Sequence, residues 1–524
     1  MFGQRSKVVA ACVAISFVAS GCFLFPSEEP YPELRVGLAA VGSLDPARAT
    51  SPTAFSLIRT ACDGLVSLDP DDGTPQPSLA ASWEVSEDLR TFDFAIHKGL
   101  TFQDGADVTA QAVAETLSRV VRPTTTSPWR TLLQRVEGYA EVVAEETESL
   151  SGVRAIDTET LQIVLSTSYA DFPVILAHPG LTPVSPRESS SEFPACSGPY
   201  SLLGVSETEI DLVLDEDRDD VSQAYGELDL PPTITAVLYE TVSQAFEAFR
   251  SGEIDASAVP QNLVASVVGE SGYVQRSTNE VTYIAFHPAA GPTMRGQIRT
   301  AISTGMNRLI IVDAAFGDGR VPATRWLSEN FGESNCDDLN SDAGEPLKAK
   351  ATLDQAEINP TNVSIPLYFD PSVTDDLVVD ALRLQIAGGL GLELVPESQN
   401  SEQMAKGAAD LKKPGAWIFV HDPDLPTPDR VLGVLFDTTA PENPSKAPVA
   451  GFEEAVEKAR GTSDSSQRHE SFLAAENIAC QSVSKIPLWK GMRHWMYDSA
   501  AIAFADGNEI DIFGGLVLRR IGAK

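Results

Sequence analysis

The chain has 524 residues, 43% of them hydrophobic and 21% charged, with a formal net charge of −36. That length builds two or three lobes, each with its own core. The acidic excess excludes nucleic acid and an anionic membrane surface as direct partners, since both call for a basic patch, and it reads as solubility rather than as a cation site.

Arg5 and Lys7 open the chain, residues 8–18 are apolar but too few to cross a bilayer, and Ala19-Ser20-Gly21-Cys22 closes the segment with small residues. This resembles a bacterial lipoprotein signal, which implies removal of residues 1–21 and acylation of Cys22. An ordinary signal peptide ahead of an incidental cysteine is the competing reading. The prolines and acidic pair of residues 23–32 suit a semi-extended tether over 22–32.

A strand from Glu33 runs into a Leu44-Asp45-Pro46 turn, and a helix is expected over 53–62. Strand signals follow at 83–85 and at Phe92, Phe94 and Ile96, which alternate with polar residues. After Lys98-Gly99 and Asp104-Gly105 turns, Thr109 is placed to cap a helix from Ala110 that includes 113–121. Residues 124–128 read as a loop and 161–165 as a strand, and Gly198-Pro199 marks a turn. A helix from Ala245 stops at Gly252 before another strand. The Asn307-Arg308 pair reads as a structural junction between two helices within 298–323. The last third alternates: strand 365–369, helix 373–386, strands 392–395 and 416–420, helices 451–459 and 467–479, strand 486–489.

Catalytic signatures are missing. There is no nucleophile elbow, zinc-protease helix or kinase set. Gly317–Gly319 lacks the Gly-Lys-Ser/Thr of a phosphate loop, and Gly388, Gly389 and Gly391 lack the dinucleotide pattern. The six histidines are scattered; His97 reads as solvated and His494, beside Trp495, as structural. Acidic pairs such as Asp71-Asp72 and Asp219-Asp220 read as solvated turns. No enzyme, cofactor or metal is expected. Of six cysteines, Cys62, Cys196, Cys336 and Cys480 remain in an exported chain, open to two disulfides in three connectivities or to four free thiols.

Several blocks together carry a resemblance. They are Leu79-Ala-Ala-Ser-Trp-Glu-Val with its continuation to Asp-Gly-Ala-Asp-Val-Thr-Ala110, the Leu44-Asp45-Pro46 turn, Cys196-Ser-Gly-Pro-Tyr200, the helix–Gly–strand step of 245–256, the helix pair of 298–323, and Ile486-Pro-Leu-Trp489. From about Glu33 to Lys524 the chain resembles the peptide/nickel family of extracellular solute-binding proteins, the capture subunits of ABC importers. The resemblance implies an α/β, periplasmic-binding-protein-like fold: two lobes around a cleft, plus an inserted subdomain. Lobe one would take 33–62, 186–285 and 490–524, the subdomain 63–185, and lobe two 286–489. It also implies Cys62–Cys196 and Cys336–Cys480 disulfides, since each pair then falls within one lobe. The expected protein is a monomer, held to the membrane only by lipid on the extracytoplasmic side. It would bring a short peptide or peptide-like solute to an ABC permease and its ATPase. A metal chelate, an oligosaccharide, or a scaffold role without transport are the alternatives.

Aligning Thr427-Pro428-Asp429 and Val434-Leu435-Phe436 with the family places Asp424 at the acid that pairs with a peptide's amino terminus, and Asp422 is the alternative two residues away. His421 then stands at the family's Trp position, with Trp417 farther upstream. Thr50-Ser51-Pro52 aligns with the loop that pairs with the ligand backbone like an added strand. Pro52 has no N–H to give. The residues by themselves also permit Asp422 and Asp424 to act only as turn caps.

Overall fold

The computed structural model describes residues 33–523, apart from 40, 70–72, 188–191, 216–229, 288, 328–333, 335, 338, 505–508 and 512. The signal segment, Cys22 and the tether lie outside the described residues, as do Asp71-Asp72 and Asp219-Asp220.

Two long strands, Tyr273–Phe286 and Lys485–Tyr497, run antiparallel through the middle of an eleven-stranded sheet. On one flank lie Ala256–Ala258, Leu34–Ala39, Thr233–Tyr239, Glu209–Leu214 and Tyr200–Val205; on the other lie Ala416–His421, Ser364–Phe369 and Glu393–Ser398. The long strands therefore serve both halves. Their register breaks between Ser277 and Val281, where one half gives way to the other.

The far half is covered on both faces, and its central strand shows why. Val281, Tyr283 and Ala285 point into one core with Trp326, Phe436, Phe452 and Phe472, while Ile284 and Phe286 point into another with Ile302, Leu367 and Leu382. Strand side chains alternate faces, so a strand buried on both sides reads as a continuous apolar run. The near half has its own core of Leu34, Val36, Leu57, Ile58, Tyr200 and Ile234. Its helix Pro52–Ala61 starts cleanly: the Ser51 hydroxyl accepts the Ala54 N–H at 3.0 Å, and Pro52 occupies the first helical position, where its missing N–H costs nothing.

A separate four-stranded antiparallel sheet, ordered Ala80–Val85, Thr91–Ile96, Thr160–Val164, Val153–Ala155, packs against the helix Ala110–Val121. Phe92, Phe94 and Ile96 supply its buried face, and the Thr109 hydroxyl caps the helix by accepting the Ala112 N–H at 3.2 Å. This core also takes in Ala47 and Leu425 from outside the segment. The Leu44-Asp45-Pro46 turn has a second use: Arg119 of that helix donates both terminal nitrogens to the buried Asp45 carboxylate, at 3.0 and 2.5 Å. Charge-assisted, bidentate pairs of this kind fix geometry as well as energy.

Cys62 is bonded to Cys196 and Cys336 to Cys480. Asn307 caps the helix Arg308–Phe316, and the buried Arg308 donates to the carbonyls of Pro487, Ser303 and Ser341. The pair is a helix junction tied to the long strand.

Candidate functional site

The strand Ala416–His421 pairs antiparallel with Tyr273–Phe286, so its end delivers residues 422–430 beside the register break. Trp417, expected near the ligand, has no exposed surface: its ring lies 4.9 Å from Tyr368 and 4.3 Å from His287, inside the far half. His421 is also buried and donates from Nε2 to the Arg430 carbonyl at 3.0 Å; burial holds it below the ordinary histidine pKa.

Asp424 and Asp422 have opposite surroundings. Asp424 is buried, and Arg430 grips both of its oxygens, Nε to Oδ1 at 2.7 Å and Nη2 to Oδ2 at 2.8 Å. A π-helical turn, Asp429–Gly433, swings Arg430 back six residues to make that grip. Burial pushes the Asp424 carboxyl up, but the Arg430 guanidinium outweighs it and holds the group below its usual range. Arg430 also reaches Glu442 at 3.1 Å.

Asp422 keeps 54% of its side chain exposed, and its ion partner among the described residues is distant, Arg493 Nη2 at 3.5 Å. It borders a knot at the register break. Glu280, 10% exposed, receives Arg320 at 2.6 Å and Arg493 at 3.2 Å. Gly491 makes room for the knot, since a Cβ there would meet Thr278 Oγ1 at 2.6 Å and Glu280 Cβ at 2.8 Å. Desolvation, then repulsion from Glu280, raises the Asp422 pKa to about 6. The carboxylate is thus flanked by charged neighbours while half of it stays open to solvent.

Of the near-half residues, Thr50 is exposed, while Ser51 spends its hydroxyl on the helix cap and on the Val41 carbonyl at 2.6 Å. The neighbouring Ala49 carbonyl accepts the Trp129 indole N–H at 2.7 Å, and the Trp129 ring lies 4.3 Å from His178. His178 Nδ1 accepts the Gly180 N–H at 2.9 Å, which leaves the ring proton on a buried Nε2 that has no partner among the described residues. Burial lowers its pKa to about 4, against the pull of Asp424 nearby. Trp129 and His178 thus back the Thr50 loop, with His178 near enough to Asp424 to feel its charge. Only the His-Pro-Gly turn signal marks His178 in the sequence.

Among the described residues no group of three His, Cys, Asp or Glu is placed to hold a metal ion, and no helix is long and apolar enough to cross a membrane. Residues 74–443 match the family described as bacterial extracellular solute-binding proteins, family 5 Middle. The chain is similar to the probable deoxycholate-binding periplasmic protein YgiS of Escherichia coli, 24% identical with 86% of each chain covered. It is also similar to the periplasmic murein peptide-binding protein MppA of the same organism, 23% identical with 92% of each covered. The unliganded open form of MppA superposes with a TM-score of 0.80 at 20% identity, covering 94% of this chain and 97% of that one. Clavulanic acid biosynthesis oligopeptide binding protein 2 gives a TM-score of 0.81 at 21% identity, covering 94% and 95%.

Proposed function

Because the chain belongs to the bacterial extracellular solute-binding proteins of family 5, we propose that it is the capture subunit of an ABC importer. It takes a short peptide into the cleft at the register break and hands it to a membrane permease driven by an ATPase. Proteins of this family bind solutes; they are not enzymes. The peptide reading draws on relatives named for peptides. In this reading Cys22 carries lipid and holds the protein on the extracytoplasmic face as a monomer, and residues 33–62, 186–285 and 490–524 close against 286–489 with 63–185 as the insert.

The observation that carries the site is the contrast between two carboxylates. Asp424 is already satisfied by Arg430, whereas Asp422 is half open and weakly paired. We assign the peptide's ammonium group to Asp422, with Thr50 contacting the ligand from lobe one. His421 and Ser51 act behind this surface by orienting the turn and the loop. Calorimetry of the purified protein against a library of short peptides tests it: Asp422→Asn should weaken binding at least tenfold, and equal binding by that variant rejects the assignment. Release of a Cys22→Ser variant from membranes tests the anchor.

A second reading has its own support. The locked Asp424–Arg430 pair removes the acid at the expected amine position, which favours a solute without a free amine, and one relative is named for deoxycholate. N-acetylated peptides that bind as tightly as free ones select this reading.

A further inference from the structure

A cavity of about 180 Å³ lies between the helix Pro52–Ala61, the strand Val66–Leu68, and Asp511, Phe513 and residues 516–520. None of residues 50–52 or 416–430 lines it, so it is not part of the cleft. Its charged lining is Arg59, Arg519 and Arg520 with Asp63 and Asp511. Arg519 is braced: it donates to the Thr60 carbonyl at 3.1 Å and to the Cys62 carbonyl, clamping the helix end, and it pairs with Asp63.

Arg59 is the group left with capacity. One terminal nitrogen meets Asp511, and the guanidinium lies 4.4 Å above the Phe513 ring. A guanidinium carries five N–H donors, and the Asp511 contact uses one nitrogen, which leaves donors for the cavity that Arg59 lines. Burial pulls the Arg59 pKa below the ordinary arginine value, with Asp511 opposing the shift and Arg519 adding to it. Val66, Leu68 and Phe513 provide apolar wall beside these donors. A cavity of roughly 150 Å³ takes benzene, so this one suits a single ring with a small substituent.

We propose that this cavity is a second binding site, for a small organic anion in which a carboxylate faces Arg59 and a compact apolar body rests on Val66, Leu68 and Phe513. It stands apart from the solute cleft and does not depend on the peptide reading.

Sodium benzoate is the probe, titrated into the purified protein by calorimetry at low ionic strength. Benzoate should bind one per chain, with benzyl alcohol at least tenfold weaker and acetate weaker as well. Arg59→Gln, and Val517→Phe, which fills the cavity and leaves the arginines, should each weaken benzoate at least tenfold. Asp422→Asn should leave it unchanged. The proposal is overturned if benzyl alcohol binds as well as benzoate, if benzoate does not bind, if either cavity variant binds it like wild type, or if Asp422→Asn abolishes it. Should Arg59→Gln fail to fold, Val517→Phe and the benzyl alcohol comparison decide between these outcomes.

Discussion

Tyr169 donates its hydroxyl to Asp429 across 2.7 Å, and with that bond the four-stranded unit meets the far half of the large sheet. Both groups are buried. Arg460 completes the contact, donating to Asp429 at 2.7 and 2.9 Å, while its carbonyl accepts the Ala170 N–H at 2.9 Å. Burial raises the Tyr169 pKa well above its usual value, so it stays a neutral donor. Tyr169→Phe leaves the ring in place and removes only that donor. A buried hydrogen bond to a charged group is worth roughly 1.5–3 kcal/mol, and urea unfolding should show a loss of that size. A variant as stable as wild type means the hydroxyl contributes nothing.

Asp422 and Asp424 should separate by assay. Asp424→Asn strips a buried guanidinium of its main partner, a change that costs about 3–5 kcal/mol, so its effect should appear in thermal unfolding. Asp422→Asn removes a carboxylate whose pKa is raised, so above about pH 6 it should leave the fold as stable as wild type or more stable, while weakening peptide binding by at least about 1.4 kcal/mol, or tenfold. If the two variants exchange these phenotypes, the roles given to them are reversed.

Peptide affinity should fall in acid. With its pKa raised to about 6, Asp422 is neutral below that pH and no longer attracts an ammonium group. The groups acting on it are Glu280 and Asp424, which favour the proton, and Arg493 and Arg320, which oppose it. For folding the sign is also fixed. The unfolded carboxyl ionises near 3.8, so as pH rises from there to about 6 this group makes folding progressively less favourable. Dissociation constants measured between about pH 5 and 8 should steepen below about pH 6, and Asp422→Asn should flatten the curve.

Lys485 gives the opposite slope. Its ammonium is buried with no hydrogen-bond partner among the described residues, 4.5 Å from the Phe436 ring, and burial lowers its pKa to about 7. Below pH 7 folded and unfolded chains both hold the proton, so the whole cost of burying it is felt; from 7 up to 10.5 only the unfolded chain still binds it, and stability rises with pH. Lys485→Met should therefore raise the melting temperature, by about 1 °C for each kcal/mol relieved in a protein of this size, with the gain shrinking toward pH 10.5. A pH-independent gain points to packing instead of charge.

Local chemistry is legible in the sequence where neighbouring residues carry it. Phe92, Phe94 and Ile96 alternate as a strand must, Thr109 caps its helix, and Gly252 ends another in the left-handed conformation at φ 80°. The helix expected over 373–386 is Asp376–Leu390, shifted because Asp375 supplies the cap. The long strand Tyr273–Phe286 gives no periodic signal, since its apolar end faces two cores and shows no alternation. The Asp424–Arg430 grip is hidden for a different reason. It depends on a π-helical turn that no residue type announces, and spacing alone does not say which of two nearby acids the arginine turns back to meet. His178 meets the site through distant packing, so its role is visible only in three dimensions.

The Cys62–Cys196 bond joins residues 134 apart, and all of the core around the four-stranded sheet except Ala47, Leu425 and the part-buried Phe513 lies between them. Cys62 ends the first helix and Cys196 stands just ahead of the strand Tyr200–Val205, so the bond closes this stretch of chain into a covalent ring. A protease that nicks the ring frees nothing: the two pieces travel as one molecule until a reductant opens the bond.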